Sequence, residues 1–431
     1  MHDPEASRSA STLAGSDADA LAVADAQRLI LSHVQPITAT ETIPLKQALG
    51  RVLAADLISP LDVPLADNSA MDGYALRSSD LQAGTTSAAV TLTIVGSAYA
   101  GHPFGGRVST GTCVRIMTGA VIPQGCDLVL PQELARHVND SAVELPAQRV
   151  KPGHNIRRAG EDLARGQAAL RQGRLLSPAD LGLIASLGMA EVSVMRKLRV
   201  AHFSTGDELR STGQPLDEGS VYDSNRYTLH GMLTRAGCES IDFGLVKDDP
   251  AAIETALRQA CEHADAVITS GGVSAGDADH TRHLMTRLGD VAFWKIAMRP
   301  GRPLAFGTLD VGGKRALLFG LPGNPVATMV SFYFFARPAL YALAGARAPE
   351  LMTLRAISDN HIPKKPGRTE YQRGQLRHSS NGECYVRTTG AQGSGILSSM
   401  TEANCIMVLS DSQGPVRPGD IVEVILFDGL I

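Results

Sequence analysis

The sequence predicts a multidomain α/β protein: a central α/β domain with a mostly parallel sheet, small β-rich domains before it, and an all-β C-terminal domain. Three observations carry this reading. From Leu198 to about Leu343, apolar strand-like runs alternate with helical stretches, which implies parallel crossovers with helices covering both faces of a sheet. Between Val90 and about Val150 the texture changes to short β-branched runs separated by Gly, Pro and Asn. After Pro349 helical spacing stops. The length of 431 residues agrees, since single cores stop growing near about 250–300 residues, and it points to about three domains.

The elements follow in order. Residues 1–20, rich in Ala, Ser and Asp, are expected to be a disordered tail. Leu21–Val34 has helical spacing, and a second helix is expected over Ile43–Leu57, entered through Pro44. Strands are expected at Val90–Ala98, Cys113–Met117, Asp127–Pro131 and Ala142–Leu145, then a helix at Ser177–Leu187. The α/β region gives strands at Leu198–Phe203, Ser240–Val246, Ala266–Thr269, Ala292–Ala297, Pro303–Phe306 and Ala316–Phe319. Between and after them come helices at Ser224–Arg235, Pro250–His263 and Asp279–Leu288, and a long apolar helix after Asn324-Pro325. The last domain reads as strands at Leu351–Ile357, Glu370–Leu376, Glu383–Thr388 and Ile421–Leu426, with Asn381-Gly382 as a hairpin turn.

Composition excludes some classes. Forty basic against 44 acidic residues leave a formal charge of −4, so the basic field of a nucleic-acid binder is missing. An anionic substrate stays open, because net charge says nothing about the field inside one cleft. No two of the six cysteines have only two or four residues between them, which argues against a zinc knuckle or a C-x-x-C redox pair and for buried free thiols in a reducing cytosol. The N-terminus has neither the apolar core of a secretory signal nor the basic character of a transit peptide. Val326–Ala346 is membrane-like in hydropathy, but Arg337-Pro338 at its centre makes a buried helix the better expectation. No membrane partner is expected.

The loops of the α/β region carry the chemistry. Ser270-Gly-Gly-Val-Ser-Ala-Gly-Asp-Ala-Asp279 joins a buried strand to a helix at the carboxyl edge of the sheet, where open α/β sheets bind ligands. Ser270, Gly271, Gly272, Ser274 and Gly276 are candidates to approach a substrate phosphate. Asp277 and Asp279 can cap the helix or hold a metal ion. Gly272–Gly276 also matches the G-x-S-x-G nucleophile elbow, with Asp359 and His361 in hydrolase order. A serine hydrolase is therefore an alternative, weakened by the carboxylates crowding that loop and by the lack of an HGGG-type oxyanion loop. Asp207 and Glu208 follow the first strand, and Asp248 and Asp249 follow the next one. Three carboxylate-bearing loops at one sheet edge suit Mg²⁺, which takes one or two carboxylates with waters and phosphate oxygens. Lys295, Arg299 and Arg302 read as an oxyanion clamp. Pro322, Gly323, Asn324 and Pro325 form a rigid loop whose helix N-terminus could face a second anion. His280 and His283, three apart, read as helix surface. Asp67–Ala75 reads as a polar turn.

Seven segments in order, DNSAMDGYA, RIMTGA, NIRRAGEDL, FSTGDEL, SGGVSAGDAD, FWKIAMRPGRP and GLPGNPV, resemble the MoeA family of molybdopterin molybdenumtransferases, which includes the E domain of gephyrin. The resemblance runs from about residue 20 to the end. It implies a homodimer of four subdomains, with an active cleft between subunits and a central domain like that of the stand-alone MoaB/Mog proteins. The division it suggests is 21–58 with 163–195, 59–162, 196–347 and 348–431. The implied reaction takes adenylylated molybdopterin and molybdate, inserts the metal into the dithiolene and releases AMP with Mg²⁺, the last step of molybdenum cofactor synthesis. By motif, Asp72, Thr118 and Asp162 would line the cleft. Glu208, Asp248 and Asp279 would form the Mg²⁺-associated set. Lys295, Arg299, Arg373 and Ser394 would hold molybdate or the pterin phosphates, with Pro322 and Pro325 shaping the loop. Arg299 and Arg302 stand where the family often has lysine, and the two cations are not equivalent. Implied partners are the adenylyltransferase that hands over the substrate, and molybdoenzyme apoproteins or their chaperones, in the cytoplasm. A non-catalytic, gephyrin-like scaffold is the remaining alternative.

Overall fold

A computed structural model of the chain describes residues 20–82, 89–147, 150–272, 278–347, 349–380 and 382–427. They form two compact units, one containing residues 20–41, 50–52 and 194–427, the other residues 42–49 and 53–193.

In the first unit the α/β domain runs β1 (Arg199–Thr205), α1 (Asn225–Arg235), β2 (Glu239–Val246), α2 (Pro250–His263), β3 (Ala266–Ser270), α3 (Ala278–Leu288), β4 (Gly289–Lys295), β5 (Pro303–Val311), β6 (Lys314–Leu321) and α4 (Pro325–Leu343). The six strands lie in the order β2-β1-β3-β6-β5-β4. β2, β1, β3 and β6 are mutually parallel, while β5 and β4 add antiparallel hairpin partners, so the sheet is mixed at one edge. Successive residues serve opposite cores, as period-two geometry requires. Val200, Ile268 and Phe319 pack with α1, α4 and the N-terminal helix Val23–His33. Ala201, Val267 and Leu318 pack with α2 and α3. The sequence expectation of a sheet covered on both faces is met.

α4 is the described helix long and apolar enough to cross a bilayer, and 83 % of that stretch is buried in the protein. Its middle, Phe332–Ala336, is a π-turn just before Pro338. Proline lacks the N–H that would reach the Phe334 carbonyl four residues back. Gln27 of the N-terminal helix supplies the missing donor, with Nε2 to Phe334 O at 3.0 Å. A core helix thus carries its proline without leaving a buried carbonyl unpaired.

The C-terminal domain closes on itself. Thr369–His378 pairs with both Cys384–Thr388 and Cys405–Leu409, and Thr353–Ser358 and Ile421–Leu426 complete a five-strand barrel. Met298–Arg299 adds a short parallel strand to it, and Phe334 of α4 stacks on Tyr371 with ring centroids 4.1 Å apart. Barrel and α/β domain therefore share a packed boundary.

The second unit is built on a six-strand sheet ordered Leu128–Pro131, Gly73–Leu76, Thr112–Ile116, Ala89–Ala98, Ala142–Pro146 and Arg136–Asn139. Two expectations fail here. Within Asp67–Ala75, read as a polar stretch turning at Asp72-Gly73, the chain instead enters an inner strand, Gly73–Leu76, buried at all four positions. Only glycine fits at its start: a Cβ on Gly73 would lie 1.9 Å from the Leu130 carbonyl oxygen. The helix expected over Ile43–Leu57 is also absent. Thr40–Pro44 is a strand, Leu45–Gln47 a single 3₁₀ turn, and Gly50 takes φ +71°. Beyond it the Leu53 and Ala54 amides bond to Arg174 O and Ser193 O, so distant partners replace the helical ones. β-branched Thr42 and Ile43 beside Pro44 and Gly50 make that exchange favourable.

Candidate active site

The carboxyl edge of the parallel strands gathers a buried polar layer. Ser204, Thr205, Asp223, Asn225, Thr269 and Ser270 are each at least nine-tenths buried. Asp223 accepts from Ser204 Oγ at 3.0 Å and from the Arg226 amide at 3.3 Å, which seats the first turn of α1 on the end of β1. Asn225 Nδ2 donates at 2.6 Å to Ser270 Oγ and at 2.6 Å to the Gly323 carbonyl. Gly271 holds φ +94° with Thr205 O only 2.4 Å from where a Cβ would be, and Gly323 approaches the Gly271 Cα at 3.7 Å, measured from a Cβ position. The two glycine-bearing loops, 270–272 and 322–325, therefore face each other with little but backbone between them.

The second loop leads to the barrel. The Val326 amide, at the start of α4, donates to Ser394 O at 3.0 Å. The neighbouring Gly393 carbonyl accepts from Arg373 Nη2 at 3.0 Å, and Arg373 Nε reaches Ser399 Oγ at 3.0 Å. Gln392 and Arg373 bond reciprocally, side chain to backbone. Arg373 is 1 % exposed. Desolvation, and then the charge of Arg299, push its guanidinium down to about 10. Both arginines line a cavity of about 330 Å³ with Pro300, His361, Gln372 and Gln392. Glu370, on the same wall, is held by Gln372 at 2.9 Å. Two arginines and the Glu370 carboxylate thus line one cavity, with Arg299 close enough to lower the Arg373 guanidinium further.

Other expected residues are placed as follows. Lys295 is half-buried at the end of β4, and Arg302, also half-buried, gives its carbonyl to the Ile296 amide at 2.7 Å. Glu208 and Asp248 are exposed on the loops after β1 and β2. Asp279 is in the first turn of α3, after β3, and its side chain lies outside the described residues, as do Ser274, Gly276 and Asp277. These carboxylates follow three adjacent strands, yet among the described residues no three His, Cys, Asp or Glu are grouped as a metal site. Pro322 O accepts from Thr328 Oγ1 at 2.6 Å, which fixes the loop before Pro325. Of the hydrolase candidates, Asp359 is engaged by Arg377 at 3.1 Å.

Three sequence motifs meet within the second unit. Asp72 Oδ1 accepts from the Thr118 amide and hydroxyl, both at 2.7 Å. That amide, then the hydroxyl, hold the Asp72 carboxyl below its usual range. Asp67 accepts from the Ala159 amide at 2.9 Å and pairs with Arg158 at 2.6 Å, and Asn68-Ser69 pairs with Ile156-Arg157 as strands. Asp162 is exposed, its amide bonded to Val63 O at 3.0 Å. Asp223 and Asn225 went unnoticed in the sequence. The available signal was a D-S-N triplet opening a helix beside a strand edge.

An α/β domain with facing glycine loops, joined to a β barrel with an arginine-lined cavity, defines the class of this multidomain protein. The chain matches the family descriptions "MoeA N-terminal region (domain I and II)" over residues 21–188, "Probable molybdopterin binding domain" over 201–342 and "MoeA C-terminal region (domain IV)" over 355–427. It is 42 % identical to the molybdopterin molybdenumtransferase of Haemophilus influenzae, covering 95 % of this chain and all of that one. It is 32 % identical to the Bacillus subtilis protein of the same name, over 91 % of each. The crystal structure of a MoeA protein from Pyrococcus horikoshii superposes with TM-score 0.80 at 29 % identity, covering 94 % of this chain and 100 % of that one. The chain belongs to the MoeA family.

Proposed function

We propose that this protein inserts molybdenum from molybdate into adenylylated molybdopterin and releases AMP. The observation that carries the reading is the cavity formed by Arg299 and Arg373, joined through Gly393-Ser394 and Gly323 to the glycine loop at Ser270. A tetrahedral dianion needs forked cationic donors, and the phosphates of a pterin adenylate need backbone N–H groups at a helix N-terminus. Both kinds of receptor lie on one continuous hydrogen-bonded path. Arg299 and Arg373 at the cavity supply charge of the sign that the oxyanion needs.

In this reading Arg373, fixed by Ser399 and Gly393, and Arg299 orient molybdate. Lys295 and Arg302 add positive charge, and Ser270, Gly271, Gly272, Ser274, Gly276, Gly323 and Asn324 accept the phosphate end. No protein nucleophile is required, because the dithiolene and molybdate bring the reacting atoms, so the chain contributes position and electrostatics. Glu208, Asp248 and Asp279, on loops after adjacent strands, would hold Mg²⁺ through one or two carboxylates, where it neutralises phosphate charge. Asp72, Thr118 and Asp162 complete the cleft from the partner subunit of a cytoplasmic homodimer. That dimer has the four-subdomain division given above, receives its substrate from the adenylyltransferase, and serves molybdoenzyme apoproteins or their chaperones. The test is AMP release from adenylylated molybdopterin with Mg²⁺, with and without molybdate. Molybdate-stimulated release is expected; a folded protein that molybdate does not stimulate refutes the proposal.

A further inference from the structure

We infer that Asn225 is a positioning residue that sets the spacing of the two substrate loops, 270–272 and 322–325, with Asp223 as its anchor. The inference rests on the function proposed above. Asn225 is 7 % exposed and occupies the first residue of α1. One nitrogen serves both loops, at 2.6 Å to Ser270 Oγ and 2.6 Å to Gly323 O. The amide orientation is fixed by chemistry, since a carbonyl oxygen can only accept and so demands the NH₂ group. Ser270 Oγ, accepting from Asn225, keeps its own proton for another acceptor.

The anchor is equally specific. Asp223 is 2 % exposed and binds the end of β1 through Ser204 and the start of α1 through the Arg226 amide. The Asp223-Ser-Asn225 triplet therefore ties together the ends of β1 and β3 and the loop after β6, three neighbours in the sheet. Glycine backbones face each other above this triplet, and the Gly271 amide bonds to Leu321 O at 3.1 Å, which ties the first loop to the strand end leading into the second. Asn225 adds a link from beneath, as the described side chain bonded to both loops. Its bond to Gly323 continues through Val326 and Ser394 to the arginine cavity. A shift at Asn225 would move the phosphate loop relative to the oxyanion receptor.

The test compares Asn225→Ala and Asn225→Asp in the full-length protein by molybdate-stimulated AMP release. A displacement of about 1 Å in such a site costs about 100-fold, so kcat is expected to fall about 10- to 100-fold in both variants at pH 8, with a smaller change in KM for molybdate. In Asn225→Asp a carboxylate would face the Gly323 carbonyl until it is protonated. Its activity relative to wild type is therefore expected to recover as pH falls, whereas that of Asn225→Ala stays level. Using the ratio cancels pH effects common to both proteins. Wild-type turnover in Asn225→Ala, or a pH-independent ratio in Asn225→Asp, overturns the inference.

Should either variant fail to fold, the wild type carries the test through hydrogen exchange, with inorganic phosphate as probe. Amides of 270–272 and of Gly323, Asn324 and Val326 are expected to gain protection together, and protection of one loop alone overturns the inference. A wild type without molybdate-stimulated AMP release would instead refute the proposed function, and leaves the exchange result to decide the loop coupling.

Discussion

Replacing Arg373 with methionine separates an oxyanion receptor from a structural arginine. In the free protein the guanidinium is held down to about 10, well below the ordinary arginine range, first by desolvation and then by Arg299. That displacement corresponds to about 3 kcal/mol of disfavour for the charged form at neutral pH. Methionine loses the bonds to Ser399 Oγ and Gly393 O, both 3.0 Å, but removes the buried charge. These effects oppose each other, so the stability change is expected to stay within about 2 kcal/mol. Molybdate affinity should behave differently. Loss of charge-assisted bonds worth about 1.5–3 kcal/mol weakens binding by about 10- to 150-fold. Isothermal titration of wild type and Arg373→Met with molybdate measures this directly, with circular dichroism to confirm the fold. The sign against pH is fixed too. The folded pKa is depressed, so the penalty is present below about 10 and fades as pH rises above it. A bound dianion relieves that penalty, and molybdate stabilisation should therefore shrink as pH climbs through 10. A folded Arg373→Met protein with wild-type molybdate affinity refutes the argument.

Three further outcomes are expected. His202 is fully buried, and desolvation pushes its imidazole down to about 4, so the unfolded chain binds more protons between 6.5 and 4. Stability should fall as pH drops through that window, and urea titrations should show a shallower fall in His202→Gln. Gly73→Ala puts a methyl 1.9 Å from Leu130 O and should destabilise the second unit by more than about 2 kcal/mol, seen as faster proteolysis within residues 59–162. Gln27→Ala should cost about 1–3 kcal/mol by leaving Phe334 O unpaired, and Pro338→Ala, which restores an N–H, should reduce that cost in a double-mutant cycle on thermal stability.

The α/β domain was legible because its signals are local. Strands such as Ala266–Ser270 are continuous apolar runs, and α2 announces itself with Asp249 capping Ala252 at 3.0 Å and Pro250 at the first turn. Ile43–Leu57 misled because apolar spacing alone was followed, while its backbone partners, Arg174 and Ser193, lie more than a hundred positions away. Gly73–Leu76 misled for a related reason. The polar residues before it belong to a loop, and the strand's identity comes from its two neighbours, Leu128–Pro131 and Thr112–Ile116. The thiols were read correctly in part. Cys113, Cys261 and Cys405 are buried and Cys126, Cys238 and Cys384 half-buried, all six free, with burial pushing Cys113 and Cys405 up to about 12.

The site divides along the same line. Glycine, proline and charged residues between regular elements advertise themselves, because their types are unusual where they stand, and Arg299 and the two glycine loops were found that way, whereas Arg373, inside the strand Thr369–His378, was reached only through the family resemblance. Asp223 and Asn225 advertise nothing, since both are common helix-opening residues and their importance lies only in being buried. Burial changes their meaning. An exposed Asn at a helix start can exchange its partners for water, whereas Asn225, with 7 % exposure, has the protein's own groups to answer to. Its Oδ1 and Asp223 Oδ2 are buried without a partner among the described residues, although the nitrogen of one and the other oxygen of the second are fully committed. A buried layer left incomplete directly beneath two glycine loops costs stability that a purely structural arrangement would recover with an apolar side chain. Its retention there fits a layer whose role is to fix the loops above it.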